Sequence, residues 1–340
     1  MQSPTHTYIT ASTGCNNIPA FRLIAEDLSR VRSLLKKQLT VTAARPGDIS
    51  GLLEHLNNRS GKMVRPGLVL LAGRCCGKIT DEHINVAAIL EMIHNATLLH
   101  DDVIDEGKQR RGLPTINSLW GNETAVLLGD FLLSQVFKMC AELESKVARV
   151  IASAAARLCE GELRQIIQKH CWQLSEAEYL DVITEKSAVL FSSSCYLGGK
   201  LAGAGESRAK SLADFGLNAG IAFQITDDLL DIVGDESKTG KTLGSDIDKH
   251  KLTLALIHLL KTADERKKNR IISSFLDRTD DQYDKNALIE MLERSGSLKY
   301  ARSRAHDFIT SAKQALSALK QSDAKDALIE TADFMVGRMY

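Results

Sequence analysis

Asp101, Asp102 and Asp105 in Asp-Asp-Val-Ile-Asp, and Asp227, Asp228 and Asp231 in Asp-Asp-Leu-Leu-Asp, put carboxylates at i, i+1 and i+4 in two separate stretches. On a helix turning about 100° per residue, the first and last Asp of each motif lie about 40° apart on one face. Like charges at that spacing cost a helix roughly 0.2–0.5 kcal/mol per pair. Burying them without a counter-ion costs far more. A hard divalent cation removes the conflict, because Mg²⁺ is held by carboxylates together with substrate phosphates. Two solvated acidic turns are the plain alternative, but the apolar flanks Ala-Thr-Leu-Leu-His and Ala-Phe-Gln-Ile-Thr speak against it. Two such motifs aimed at one cavity would suit ionisation of a diphosphate ester.

Basic residues surround both motifs. Lys62 and Arg65 stand in Ser-Gly-Lys-Met-Val-Arg-Pro, just before a helix start, where backbone N–H groups add positive potential. Arg110 and Arg111 follow the first motif, and Lys186, Lys241 and Lys251 are spread around the second. His94 precedes Asp101 by seven residues, about 20° off its face and roughly 10.5 Å along the same helix. It is therefore expected to point into the same cavity. Taken singly, a core histidine and solvated lysines are the ordinary readings. The shared facing is what favours a site.

The elements that must position these groups are helical almost throughout. Ile24, Leu28, Val31, Leu34 and Leu35 mark a first amphipathic helix, ended by Ala-Arg-Pro-Gly at 44–47. A short helix over 49–56 and another from about Pro66 follow. A long apolar helix over 81–104 carries the first motif at its end, and a polar loop covers 106–114. Further helices are expected over 122–143, 146–170, 176–202 and 207–233, the last bearing the second motif, with a loop over 234–244. No strand-like alternation persists, and no linker divides the chain. Residues 1–18 read as a loose arm and 19–340 as one all-α domain.

Composition excludes more than it identifies. Lys+Arg and Asp+Glu balance at 43 each, so no global field favours nucleic acid or an anionic membrane surface. Hydrophobic residues at 44% are ample for a core, and no apolar run reaches membrane-spanning length. Seven Cys, an odd number without Cys-x-x-Cys spacing, predict reduced, buried thiols and a cytoplasmic protein. The first twenty residues lack Arg and an apolar signal core, so neither secretion nor import is expected.

From about residue 20 to the C-terminus the chain resembles the trans-isoprenyl (polyprenyl) diphosphate synthases. The resemblance rests on Ile-His-Asn-Ala-Thr-Leu-Leu-His-Asp-Asp-Val-Ile-Asp-Glu-Gly-Lys-Gln-Arg-Arg-Gly, on Gly-Lys-Met-Val-Arg-Pro, on Leu-Gly-Asp-Phe-Leu-Leu-Ser, on Glu-Lys-Ser-Ala and on Phe-Gln-Ile-Thr-Asp-Asp-Leu-Leu-Asp-Ile-Val-Gly-Asp. It departs from the family at His250-Lys251-Leu252-Thr253-Leu254-Ala255, where Gly-Lys-x-Thr-x-Pro is usual; Lys251 survives, Gly and Pro do not. The resemblance implies an isoprenoid synthase bundle of long helices around a central cavity, in a homodimer. It implies that the six motif aspartates hold about three Mg²⁺ (Mn²⁺ substituting) against an allylic diphosphate. Arg110, Lys186, Lys251 and Lys241 would bind that diphosphate. Lys62, Arg65, His94 and Arg111 would bind isopentenyl diphosphate, and Ser187, Phe223 and Gln224 would sit beside the allylic cation.

In the resembled family, bulk at the fourth and fifth positions before the first motif limits product length. Those positions are Thr97 and Ala96, both small, which predicts a long-chain product as in octaprenyl diphosphate synthases. A geranylgeranyl- or farnesyl-type product would need a plug lower down, such as Phe137 or Met139. A class I terpene cyclase would lack the second Asp-rich motif and the Lys62, Arg65 and His94 group. A non-catalytic partner subunit would typically have lost a motif. Gly240-Lys241-Thr242 lacks the upstream Gly and strand of a phosphate loop. A di-metal carboxylate bundle would need Glu-x-x-His pairs, which are absent.

Overall fold

The computed structural model describes residues 18–43, 50–58, 61–110, 112–234, 245–276 and 284–337. Helices α1 (Ala25–Ala43), α2 (Ser50–Asn58), α3 (Val64–Cys76) and α4 (Asp81–Ile104) form the first half of the bundle. Next come α5 (Ile116–Trp120), α6 (Asn122–Cys140), α7 (Ser145–Ile167), α8 (Glu176–Ile183), α9 (Val189–Leu201) and α10 (Glu206–Val233). The helices Leu254–Thr262, Ser297–Ala315 and Asp323–Gly337 close the far side. The architecture is all-α, as expected.

α3 and α10 lie at the centre because their apolar residues cover most of the circumference, which is what a buried helix requires. Leu68, Val69, Leu70, Leu71 and Ala72 of α3 are fully buried, as are Val86 to Leu90 of α4. Each large apolar side chain removed from water contributes roughly 1.5–3 kcal/mol. α10 packs on α9 and on Ser297–Ala315. Gly216 permits the first contact: a Cβ there would come within 2.4 Å of the Phe191 carbonyl oxygen.

Several boundaries differ from expectation. α7 stops at Ile167, and the chain beyond it reverses at His170, whose φ is +64°. The polar loop after α4 contains a minimal hairpin, β1 (Gln109–Arg110) against β2 (Leu113–Pro114). The helix expected over 176–202 is interrupted by a π-turn, Thr184–Ala188. Ile18, assigned to a loose arm, is buried in the core; residues 1–17 and the turn at 44–47 lie outside the described residues. The six described cysteines form no disulfide, but Cys159 and Cys171 are exposed, not buried. Phe137 is 71% exposed and cannot plug a cavity within its own chain, whereas Met139 is buried. No described helix is long and apolar enough to cross a membrane.

Candidate active site

Both aspartate motifs stand at helix C-termini. Asp101 and Asp102 occupy the last turn of α4 and Asp105 lies just past it, while Asp227, Asp228 and Asp231 occupy the last two turns of α10. A helix C-terminus carries partial negative charge, so carboxylates there are disfavoured and cations favoured. Stability alone would not select this arrangement six times. The ends are linked through Asp246 and Lys251, in and just after the short helix Ser245–Asp248. Asp246 N–H donates to Asp231 Oδ2 at 3.0 Å, Lys251 N–H donates to the Asp246 carbonyl at 2.8 Å, and Lys251 Nζ reaches Asp105 at 3.1 Å.

Electrostatics distinguish Asp101, Asp105 and Asp228. Burial, then Glu162, push the Asp101 carboxyl up to about 7, against the opposing pull of Lys186 and Arg110. Burial also raises Asp105, but Lys251 and Lys249 outweigh it and hold that group below its ordinary value. Asp102 is nearly buried and accepts from Arg110 Nε at 2.7 Å. Asp228 accepts from Tyr179 Oη at 2.6 Å and Gln224 Nε2 at 2.8 Å, yet burial and Asp246 still lift it to about 7. Ser187 Oγ donates to Gln224 Oε1 at 2.6 Å, so Ser187, Gln224, Asp228 and Tyr179 form one chain of hydrogen bonds. Carboxyls lifted toward neutrality by burial and by each other fit a site that receives cations. Among the described residues no three His, Cys, Asp or Glu groups close into a ready coordination sphere.

Lys186 is delivered by the π-turn, and the reason lies on α7. Gly161 is pressed against the turn so closely that a Cβ there would meet Lys186 N at 2.4 Å and its Cα at 2.8 Å. One turn earlier, Arg157 clasps Glu185 with bonds of 2.6 and 2.9 Å. The wider π-turn is a common device at functional sites. Here it aims Lys186 inward at Glu162 and Gln165 of α7. The solvated-lysine reading fails for this residue. Burial lowers its ammonium, but Glu162 and Asp101 overcome this and raise it. Gly161→Ala is expected to destabilise the protein by roughly 1–3 kcal/mol, because the backbone it meets has no rotamer to yield. It should also displace Lys186 from Glu162 and Gln165 and so lower catalytic efficiency. Thermal denaturation and steady-state kinetics check both; a variant with unchanged Tm would refute the close contact.

The remaining predicted residues fall as follows. Arg65 is buried with its guanidinium 4.8 Å from the centre of the Phe191 ring, which in turn packs on Phe223 at 5.4 Å. Lys62 is exposed and lies 5.1 Å from the Phe334 ring. His94 is half-buried on α4, and its carbonyl accepts from Thr97 Oγ1 at 2.8 Å. Thr97 stands one turn before Asp101, about 40° off its face. Ala96 is about 140° round the helix and fully buried with Leu99, Ala125, Leu128 and Leu132, toward α6. The two small residues are not equivalent. Arg111 and Lys241 lie outside the described residues.

The departure at His250 resolves in an unexpected way. His250 adopts φ +57°, the left-handed conformation that Gly takes freely and that His tolerates better than most residues. Its ring stacks on His170 at 4.2 Å and its Nδ1 lies 2.7 Å from the Leu276 carbonyl oxygen. The loop thus keeps a left-handed residue before Lys251 without Gly. Glu162, Gln165, Tyr179 and Lys249 were not picked out from the sequence. Tyr179 and Lys249 stand in no motif; Glu162 and Gln165 sit on an amphipathic helix whose inward face one sequence does not reveal.

The fold is an all-α bundle with carboxylate motifs at two helix C-termini, linked through Asp246 and Lys251. Residues 47–292 match the polyprenyl synthetase family model, and the chain belongs to that family. It is 36% identical over 290 residues to the short chain isoprenyl diphosphate synthase of Methanothermobacter thermautotrophicus, covering 84% of this chain and 89% of that protein. It is 34% identical over 317 residues to the octaprenyl diphosphate synthase of Escherichia coli, covering 93% and 97%. The crystal structure of a polyprenyl synthase from Caulobacter crescentus, complexed with calcium and isoprenyl diphosphate, superposes with a TM-score of 0.86 at 33% identity, covering 93% and 96%.

Proposed function

We propose that the chain condenses isopentenyl diphosphate with an allylic diphosphate to form a long-chain all-trans polyprenyl diphosphate. The observation that carries this is the link from Asp231 through Asp246 and Lys251 to Asp105, beside Lys186 and Asp101. Divalent cations, about three Mg²⁺ or Mn²⁺, would supply Lewis-acid stabilisation of the departing diphosphate. Asp101, Asp105, Asp227 and Asp231 would hold them together with Asp102 and Asp228, with Lys251 and Lys249 giving up Asp105. Asp102 and Asp228 border the same site but must first exchange Arg110, or Tyr179 and Gln224, to become ligands. Lys186 and Lys251 would draw charge from the allylic diphosphate, with Arg110 and Lys241 beside them. Lys62, Arg65, His94 and Arg111 would seat isopentenyl diphosphate, whose double bond attacks the allylic carbon as its bond to oxygen breaks. The proton lost from the new chain passes to the released diphosphate, so no protein base is needed. Phe223, Ser187 and Gln224 would present π density and oxygen dipoles to the cation.

The product we propose has about eight isoprene units, each further turn of open wall, roughly 5.4 Å, admitting about one more unit. The support is Thr97, small and near the Asp101 face of α4, with apolar Ile93 and Leu90 one and two turns beyond it. A homodimer of cytoplasmic location completes the proposal. The support for a dimer is the set of exposed large apolar side chains on α6 (Leu127, Phe137) and α7 (Leu163, Ile167), the last 80% exposed. Incubation with labelled isopentenyl diphosphate and farnesyl diphosphate, followed by dephosphorylation and sizing, tests the product. Thr97→Phe is expected to shorten it to about three or four units by placing a ring one turn (about 6 Å) behind Asp101. A wild-type product of fifteen or twenty carbons would overturn the long-chain assignment. An unchanged length in Thr97→Phe would show that this face does not line the tunnel.

A further inference from the structure

Glu162 belongs to neither aspartate motif and takes no part in the steps above. Its carboxylate nevertheless lies 3.1–3.2 Å from Lys186 Nζ, and Gln165 Oε1 accepts from the same ammonium at 2.9 Å. The Lys186 and Glu162 side chains are only 18% and 21% exposed, so water screens the pair far less than a surface ion pair. Lys186 also attracts Asp101 and Asp246 electrostatically, and Asp101 and Glu162 repel each other. The Arg157–Glu185 clasp and the Gly161 contact hold α7 against the π-turn, so the pairing is built into the packing.

One ammonium cannot serve two anions equally. A free diphosphate that draws Lys186 to itself leaves Glu162 and Asp101 facing each other with their shared cation engaged elsewhere. A diphosphate arriving with divalent cations brings the compensating charge along. We infer that Glu162 is the resident counter-ion of Lys186 and makes this site select metal-complexed diphosphate over the free anion. The inference rests on the reading of Lys186 as a diphosphate ligand. Glu162 is thus a positioning and specificity residue; it acts on the substrate through Lys186.

Titration calorimetry with inorganic diphosphate, in excess Mg²⁺ and in excess chelator, tests this on the whole protein. Wild type is expected to bind the metal complex much more tightly than the free anion. Glu162→Gln keeps an acceptor for Lys186 but removes the charge. It should tighten binding of free diphosphate by about tenfold and shrink the preference for the metal complex by at least as much. Glu162→Asp, which keeps the charge, should preserve the wild-type preference, and Glu162→Thr should repeat the Gln result on a smaller side chain. Circular dichroism and Tm establish that each variant is folded. An unchanged preference in both Glu162→Gln and Glu162→Thr would overturn the inference while leaving the diphosphate site intact. No binding to wild type in either condition would remove the site itself, and the inference with it.

Discussion

Asp101→Ala lowers turnover by at least two to three orders of magnitude, the effect typical of removing one group that stabilises transition-state charge. Excess chelator abolishes turnover of the unaltered enzyme, and Asp227→Ala behaves as Asp101→Ala does. The fold survives, because Asp101 is a liability to the metal-free protein. Its folded carboxyl is lifted from 3.8 to about 7, chiefly by burial and by Glu162. Between those values the folded state binds more protons than the unfolded state, so stability falls as pH rises through that window. Above it the penalty is complete. Asp101→Asn is therefore expected to raise the Tm of the chelated protein, and by more at pH 8 than at pH 5. Mg²⁺ should narrow the difference by stabilising the wild type. A fully active Asp101→Ala, or a metal-free Asp101→Asn less stable than wild type at pH 8, would contradict the assignment.

The second large effect separates the two diphosphates. Lys186→Ala raises KM for the allylic diphosphate more than for isopentenyl diphosphate, and Arg65→Ala does the reverse. Loss of one charge-assisted contact costs roughly 1.5–3 kcal/mol, or about 10- to 150-fold. The division rests on the proposed function, in which Lys186, paired electrostatically with Asp101, serves the allylic diphosphate and Arg65, at the start of α3, serves isopentenyl diphosphate. Removing Lys186 also strips Glu162 and Asp101 of their shared cation, so that variant should lose stability at neutral pH as well. Steady-state kinetics with each substrate varied in turn, together with Tm, give the answer. Equal effects of both substitutions on both substrates would mean that the two subsites are wrongly divided.

Periodicity and motif spacing by themselves determined the helical class and the two carboxylate faces. Those properties are local: a 3.6-residue repeat and an i, i+4 pair need no tertiary information to be read. Local spacing also implied that both motifs end their helices, though only the fold shows Asp246 and Lys251 tying the two ends together. Tertiary packing decided the rest. Where α7 meets the segment 184–188, the Gly161 contact coincides with a π-turn inside an apparently uniform helix and turns Lys186 inward, a cross-chain event that no window of sequence records. The same packing brought Glu162 and Gln165 to Lys186, and Tyr179 to Asp228, across 21 to 49 residues of chain. It turned Phe137 outward, placed Ala96 against α6, and let His250 take a conformation usually left to Gly. Residue type and spacing state what a side chain can do; which partners it meets depends on how helices far apart in the chain pack, because burial and charge pairing act through space.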